Sequence, residues 1–300
     1  MPYSSASMEA ERATLVDRAV LELADEVGAG VRPRSLEVPL ADLGLDSLGC
    51  ADLALAVEER FRIRLVDSDV LEFRTLADVA AAVERRSGPP VGFPEGIGRS
   101  VGFARKVAGP AIRWWFHMRI TGAEHVPPGG PVIVAANHRS MWDIPVLAVA
   151  CPRRIVFMAK MELYKNRFLE RLWYELGGFP VRREIADLRA IDTSLAVLRR
   201  GLALGLYPEG TRSFTGEMLP FLKGAAWLAL MTGSPVVPCG ITGTSRWAPR
   251  GRPRPGSRRP VSVAFGPALR VGFEPDPLAR REKAEALTER LLDQITSLLA

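Results

Sequence analysis

Between Ser87 and Gly96 the chain reads Ser-Gly-Pro-Pro-Val-Gly-Phe-Pro-Glu-Gly, so six of ten residues are Pro or Gly. No helix or strand ladder runs through such a stretch, because Pro lacks the N–H both need and Gly pays for order in backbone entropy. The chain must therefore fold as one body before this point and another after it. The charge supports the division. Residues 1–87 hold 17 Asp+Glu against 10 Lys+Arg, a net of −7, and residues 88–300 hold 17 against 30, a net of +13. The expected boundaries are a first domain over 1–87, a linker and the start of an amphipathic segment over 88–108, and a second domain over 109–300. An extended ten-residue linker spans roughly 30 Å at about 3.1 Å per residue, enough for one domain to swing over the face of the other.

Residues 1–87 carry only helical periodicity. Leu15, Ala19, Leu23 and Val27 recur every four positions, and Gly28 and Gly30 follow where a helix should stop. A second apolar stripe runs from Leu48 through Ala51, Leu55 and Val57 to Phe61, with Glu58 and Glu59 expected on its wet side. Thr75-Leu76-Ala77-Asp78 has the form of a capping box opening a last helix.

The second part alternates. Strands are expected at 131–135, 155–158, 178–181, 203–207, 236–241 and 261–265. Helical patterns lie between them at 144–150, 168–176 and 188–198, and a closing helix runs through Leu287, Leu291, Ile295 and Leu298. Strands separated by helices of ten to fifteen residues indicate an α/β domain, with function on the loops at strand ends.

The totals narrow the function classes. An apolar fraction of 47% and a charged fraction of 25% are those of a folded, water-soluble chain. No run of eighteen apolar residues suggests a spanning helix, and the polar, then acidic N-terminus is unlike a signal peptide. Cys50, Cys151 and Cys239 are scattered and odd in number, pointing to a reducing compartment and offering no metal-ligand spacing. A cytoplasmic protein is expected, with peripheral contact at the inner face of the membrane as an option. The basic half lacks a basic helix with interleaved aromatics, so no nucleic acid is expected as a partner.

A serine at the start of a helix is by itself a cap. Here Ser47 lies in Leu43-Gly44-Leu45-Asp46-Ser47-Leu48, ahead of an amphipathic helix ending in Glu58-Glu59-Arg60-Phe61, midway through a small acidic bundle. Residues 8–87 thereby resemble the acyl carrier protein family, which implies 4′-phosphopantetheine on Ser47, installed by a phosphopantetheinyl transferase. The positive end of the helix dipole suits an attached phosphodiester. Leu48, Asp52, Glu58 and Glu59 are expected to form a recognition surface. Gly49 departs from the family, in which many members have an acidic residue there. Cys50 reads as a packed residue.

Asn137-His138-Arg139-Ser140-Met141-Trp142-Asp143 follows a strand and precedes a helix. His138 and Asp143 are about 140° apart on a regular helix. They can meet only if His138 lies in the turn before the helix, with Asp143 one turn inside it. Such a pair is a charge-oriented base, in which the carboxylate fixes the tautomer and supports the imidazolium. Gly177 to Arg183, Tyr207-Pro208-Glu209-Gly210-Thr211-Arg212-Ser213 and Val236-Val237-Pro238-Cys239-Gly240 each end a strand pattern. In this order the four segments resemble the motifs of the glycerolipid acyltransferases, the lysophosphatidate acyltransferase family, over residues 110–272.

The two resemblances imply a small all-α four-helix carrier bundle followed by an α/β glycerolipid-acyltransferase domain. They imply His138 as general base and Asp143 as its orienting partner. Glu209, Gly210, Thr211 and Arg212 would build the acceptor site, with Arg183 and Lys160 also facing a phosphate and Pro238 shaping the acyl pocket. No metal is implied. The implied partners are acyl-CoA or an acyl-loading enzyme, and a lysophospholipid or other hydroxyl acceptor. Two further readings stay open: a carrier that holds a hydroxylated acceptor to be acylated from acyl-CoA or another carrier, and an inactive carrier and docking scaffold. His117 and His125 read as surface or packing residues, and the Arg-rich run 246–260 as a loop between strands, open to binding the carrier or anionic headgroups. Trp114, Trp115 and Phe116, beside Arg105, Lys106 and Arg113, suit either a membrane surface or a core.

Overall fold

The computed structural model describes residues 16–17, 19–28, 31–61, 63–86, 101–160, 167–175, 177–181, 188–213, 217–246 and 260–299. The linker 88–100 and most of the arginine-rich run 246–260 therefore lie outside the described residues. The chain divides into two compact units, the first taking in Met1–Phe93, Arg182–Ile191 and Asp276–Arg281, and the second Pro94–Val181, Asp192–Pro275 and Glu282–Ala300.

In the first unit a helix over residues 19–27 (α1) is followed by α2 (Ser47–Phe61), α3 (Asp67–Glu72) and α4 (Leu76–Arg85). Their apolar stripes meet in one core that includes Val20, Leu23, Val27, Leu53, Val57, Leu76 and Val79. The short α3 was not legible as a helix, because six residues are too few for a periodic stripe. Glu58 was expected on the wet side of α2 but is 7% exposed, its carboxylate accepting from Arg64 Nη1 at 2.7 Å and Leu65 N at 2.8 Å. Asp52 is also 7% exposed and accepts from Arg280 Nη2 at 2.7 Å within the same unit. Neither carboxylate is therefore part of an open recognition surface. Burial of a carboxylate needs such bonds, since an unpaired buried charge is costly.

In the second unit seven strands form one sheet in the order β1-β7-β6-β2-β5-β3-β4, namely β1 (Arg119–Thr121), β2 (Val132–Ala136), β3 (Ile155–Lys160), β4 (Gly178–Val181), β5 (Ala203–Leu206), β6 (Val236–Thr242) and β7 (Ser262–Phe265). All neighbours are parallel except β6 and β7. The described helices of this unit are α5 (Val101–Trp115), α6 (Asp143–Ala150), α7 (Arg167–Glu175), α9 (Gly224–Thr232) and the greater part of α8 (Leu188–Arg199) and α10 (Pro277–Leu299). The central strands β2 and β5 are buried at every position, as a covered parallel sheet requires.

Three features depart from the sequence expectation. The amphipathic segment that starts before residue 108 is helical only to Trp115, and β1 begins at Arg119. Trp114 and Trp115 are 74% and 52% exposed, whereas Phe116 is 2% exposed and packs on Trp142 at 5.4 Å between ring centroids. Exposed and core positions therefore divide within three consecutive aromatics. Pro238, in the segment expected to end a strand pattern, is the third residue of β6, opposite Ala135 of β2. Its carbonyl accepts from Gly266 N at 2.8 Å. Since the N–H and C=O of one strand residue point the same way, the donor Pro238 lacks would face β7, and the β2 ladder is spared. Among the described residues no helix is long and apolar enough to cross a membrane.

At α4 the Asp78 carboxylate accepts from Arg74 N and Thr75 N, both at 2.9 Å, and from Thr75 Oγ1 at 3.1 Å. The Thr75 N–H bond, ahead of any other influence, holds the Asp78 carboxyl below its ordinary value. Asp78→Ala is expected to lower the melting temperature of the first unit by about 4–8 °C at neutral pH, from a loss of about 1 kcal/mol. This stabilisation is present above the unfolded carboxyl pKa and lost as pH falls through the lowered folded value. Calorimetry should therefore show the gap between parent and variant closing in acid.

Candidate active site

Parallel pairing of β5 with β2 and of β2 with β6 brings the carboxyl ends of three buried strands to one edge of the sheet. In open α/β sheets that edge is where ligands bind. His138 leaves β2 there, Tyr207 and Glu209 leave β5, and Ile241 lies near the end of β6.

The His138 ring is 3% exposed and is held from both directions along the chain. Asn137 Nδ2 donates to Ile241 O at 2.9 Å, and Ile241 N donates to Asn137 Oδ1 at 2.7 Å. The pair extends the β2–β6 contact by one side chain. His138 N donates to Glu209 Oε1 at 2.6 Å, Leu219 N donates to Glu209 Oε2 at 2.9 Å, and Ser213 N donates to His138 O at 2.9 Å. The Glu209 carboxylate thus ties the histidine's backbone to the loop after β5. Gly210 sits in that loop at φ 67°, a left-handed conformation open to Gly, where a Cβ would come within 2.7 Å of Leu222 Cδ1.

His138 Nδ1 lies 2.9 Å from Asp143 Oδ2. The same oxygen accepts from Arg139 N and Ser140 N, both at 2.7 Å. Asp143 is the first residue of α6, one turn earlier in the helix than its spacing suggested. A carboxylate facing Nδ1 fixes the proton on that nitrogen and leaves Nε2 as the acceptor. The Tyr207 ring stacks on the imidazole at 4.1 Å between centroids and 20° between planes.

The remaining candidates are placed as follows. Thr211 is exposed and Arg212 half-buried, in the turn that begins at Gly210. Lys160 is the last residue of β3, and Arg183 lies outside the described residues. Burial pushes the Cys151 and Cys239 thiols up, which removes them as nucleophiles at neutral pH. No cluster of three metal-ligating side chains occurs among the described residues. Sequence reasoning named Asn137 and Tyr207 as parts of motifs but gave neither a role. The signal for Asn137 was an amide at the end of a fully apolar strand, where its polar atoms require partners.

In the first unit Ser47 opens α2 and is exposed. Asp46 Oδ1 accepts from Leu48 N at 3.2 Å and Gly49 N at 3.0 Å, so the cap is the aspartate and not the serine. Ser47 therefore fits a covalently attached phosphodiester: its hydroxyl is outward and spared from capping, at the positive end of a fifteen-residue helix. Gly49 is buried, and a Cβ on it would meet Leu45 Cδ2 at 2.9 Å. Cys50 is half-buried, and its thiol is pushed up by burial first and by the Asp46 charge second.

Asn137→Ala strips partners from the buried Ile241 N–H and C=O. It is expected to destabilise the second unit by about 2–4 kcal/mol, a fall of roughly 4–16 °C in melting temperature. An unchanged melting temperature would contradict the bracing role given to this amide.

Comparison with known proteins gives the family of each part of the chain. The Acyltransferase family model matches residues 117–242, and the Phosphopantetheine attachment site model matches residues 19–83. The chain is 32% identical over 129 residues to the 1-acyl-sn-glycerol-3-phosphate acyltransferase of Bacillus subtilis, covering 43% of this chain and 64% of that one. It is 30% identical over 190 residues to the enzyme of the same name from Borreliella burgdorferi, covering 60% and 70%. The chain thus spans about two thirds of the length of these two relatives. The crystal structure of the 1-acyl-sn-glycerophosphate acyltransferase from Thermotoga maritima shares the fold at a TM-score of 0.51 and 22% identity, covering 95% of this chain and 96% of that one. The chain belongs to the 1-acyl-sn-glycerol-3-phosphate acyltransferase family, with a phosphopantetheine attachment-site domain ahead of its acyltransferase domain.

Proposed function

We propose that the protein is an O-acyltransferase that moves an acyl group from a thioester to the hydroxyl of lysophosphatidate or a similar phosphorylated alcohol. The observation that carries this reading is the buried His138–Asp143 pair, with Nδ1 facing the carboxylate and Nε2 left as the base. His138 Nε2 takes the proton of the acceptor hydroxyl as its oxygen attacks the thioester carbonyl carbon. The carbon–sulfur bond then breaks, and the imidazolium returns the proton to the departing thiolate. No acyl-enzyme intermediate forms, in keeping with the raised pKa values of the buried thiols. Phosphopantetheine on Ser47 supplies a thiol that carries acyl groups, and CoA supplies the same chemistry in solution.

The acceptor's phosphate is assigned to Arg212, Arg183 and Lys160, since guanidinium forks match phosphate oxygens in pairs. Gly210 and Thr211 shape the turn that presents Arg212, Glu209 fixes that turn to the His138 backbone, and Pro238 borders the acyl chain. The exposed Trp114 and Trp115 on α5 suit contact with a lipid surface that holds the acceptor.

The test is single-turnover transfer from protein carrying a labelled acyl group on the Ser47 pantetheine thiol, with lysophosphatidate added. Label is expected on the lipid with the parent and to remain on the protein with His138→Ala. Label remaining on the parent's Ser47 would overturn delivery from the protein's own carrier. With acyl-CoA as donor, Asp143→Asn is expected to lower kcat about 10²- to 10⁴-fold through loss of the tautomer. Full activity in that variant would remove Asp143 from the mechanism.

A further inference from the structure

At the His138–Asp143 pair and the segment that carries it, four buried polar atoms have no hydrogen-bond partner: the donors Tyr207 Oη, Trp142 Nε1 and Arg139 Nε, and the acceptor Asp143 Oδ1. The other oxygen of Asp143 is crowded, facing His138 Nδ1 and accepting from the N–H groups of Arg139 and Ser140. Buried polar atoms in folded proteins nearly always have a partner, and an ordered water is the usual one where no protein group is in reach.

Of these groups, Tyr207 and Asp143 are electrostatically coupled. Burial pushes the Tyr207 hydroxyl well above its ordinary value, and the charge of Asp143 pushes it further, ahead of a contribution from Cys239. The phenol therefore keeps its proton and is a donor throughout the working range. Its ring is fixed as well. It stacks on the His138 imidazole, and Phe157 lies within 13° of parallel to it at 6.5 Å between centroids. Gly210 N donates to Tyr207 O at 2.9 Å, which anchors the same residue's backbone in the turn carrying Glu209.

We infer that Tyr207 is a positioning residue for the catalytic pair: its ring sets the plane of the imidazole, and its hydroxyl donates through one buried water to Asp143 Oδ1. With both carboxylate oxygens held, Asp143 cannot rotate away from Nδ1. The titratable and charged groups near this carboxylate include His138, Tyr207, Cys239, Arg139 and Glu209. A neutral donor on Oδ1 draws charge from the carboxylate and weakens its hold on an imidazolium. Losing the hydroxyl should therefore raise the proton affinity of His138, and losing the ring should release the imidazole as well.

The inference rests on His138 being the base, so its test includes a reading that needs no turnover. Ring-proton titration by NMR follows His117, His125 and His138, with His138→Ala assigning the signals. In Tyr207→Phe, which keeps the stack, the His138 midpoint is expected to rise by about half a unit while His117 and His125 stay in place. With acyl-CoA and lysophosphatidate, the same variant is expected to lose roughly 3- to 10-fold in kcat with KM unchanged, and Tyr207→Leu roughly 100-fold. A Tyr207→Phe protein with the parent's His138 midpoint and the parent's kcat would overturn the inference. A parent without turnover would sink the proposed reaction instead, and the titration would still decide the role of Tyr207.

Discussion

The second unit is organised around the need to bury a histidine at a strand end without leaving its backbone unsatisfied. His138 follows a strand in which every residue is buried, so its own N–H and C=O cannot turn to water. Glu209 Oε1 and Ser213 N supply their partners, and both belong to the segment after β5. That segment can reach them because β5 is the parallel neighbour of β2, in the register Ala135 opposite Leu206. On the other side Asn137 completes the same task against β6. The register of β2 with β5 and β6 and the side chains of Asn137 and Glu209 together meet one local requirement. A carboxylate suits position 209 because two converging N–H groups, from His138 and Leu219, need two acceptors on one rigid fork.

What could be read in advance follows from the same physics. Strands β2, β5 and β6 are short apolar runs bounded by turn residues, and helices α2, α8 and α10 carry apolar stripes at helical spacing, so all were visible as patterns. Ser47, His138 and Asp143 stood out because each lay in a run of several specific residues at a junction between elements. The rest depended on tertiary context. The three-residue β1 has no period to detect, and α9 is apolar all round, which periodicity cannot separate from a buried strand. Glu58 looked solvated because its partners, Arg64 and Leu65, are brought back by a turn. Pro238 fell inside the expected strand 236–241, but the sequence does not say toward which neighbour its missing donor points.

Both units place a carboxylate beside a candidate side chain at the start of a helix, and it accepts backbone N–H groups in each. A reactive side chain at a helix N-terminus competes with the unsatisfied N–H groups there, which would otherwise recruit it as a cap. At α2 Asp46 accepts from the Leu48 and Gly49 N–H groups, so the neighbouring Ser47 hydroxyl is left outward. At α6 Asp143, the first helical residue, instead accepts from the Arg139 and Ser140 N–H groups of the turn before the helix while it faces His138 Nδ1, so it braces that turn and does not cap the helix. A carboxylate is the suitable group in both places, because it accepts several bonds at once and its charge favours the positive end of the helix. The two also differ in exposure. Asp46 is solvated and can spend both oxygens loosely, whereas Asp143 is fully buried and its second oxygen must be matched from within the fold. That is the reason a tyrosine hydroxyl with no other partner belongs beside it.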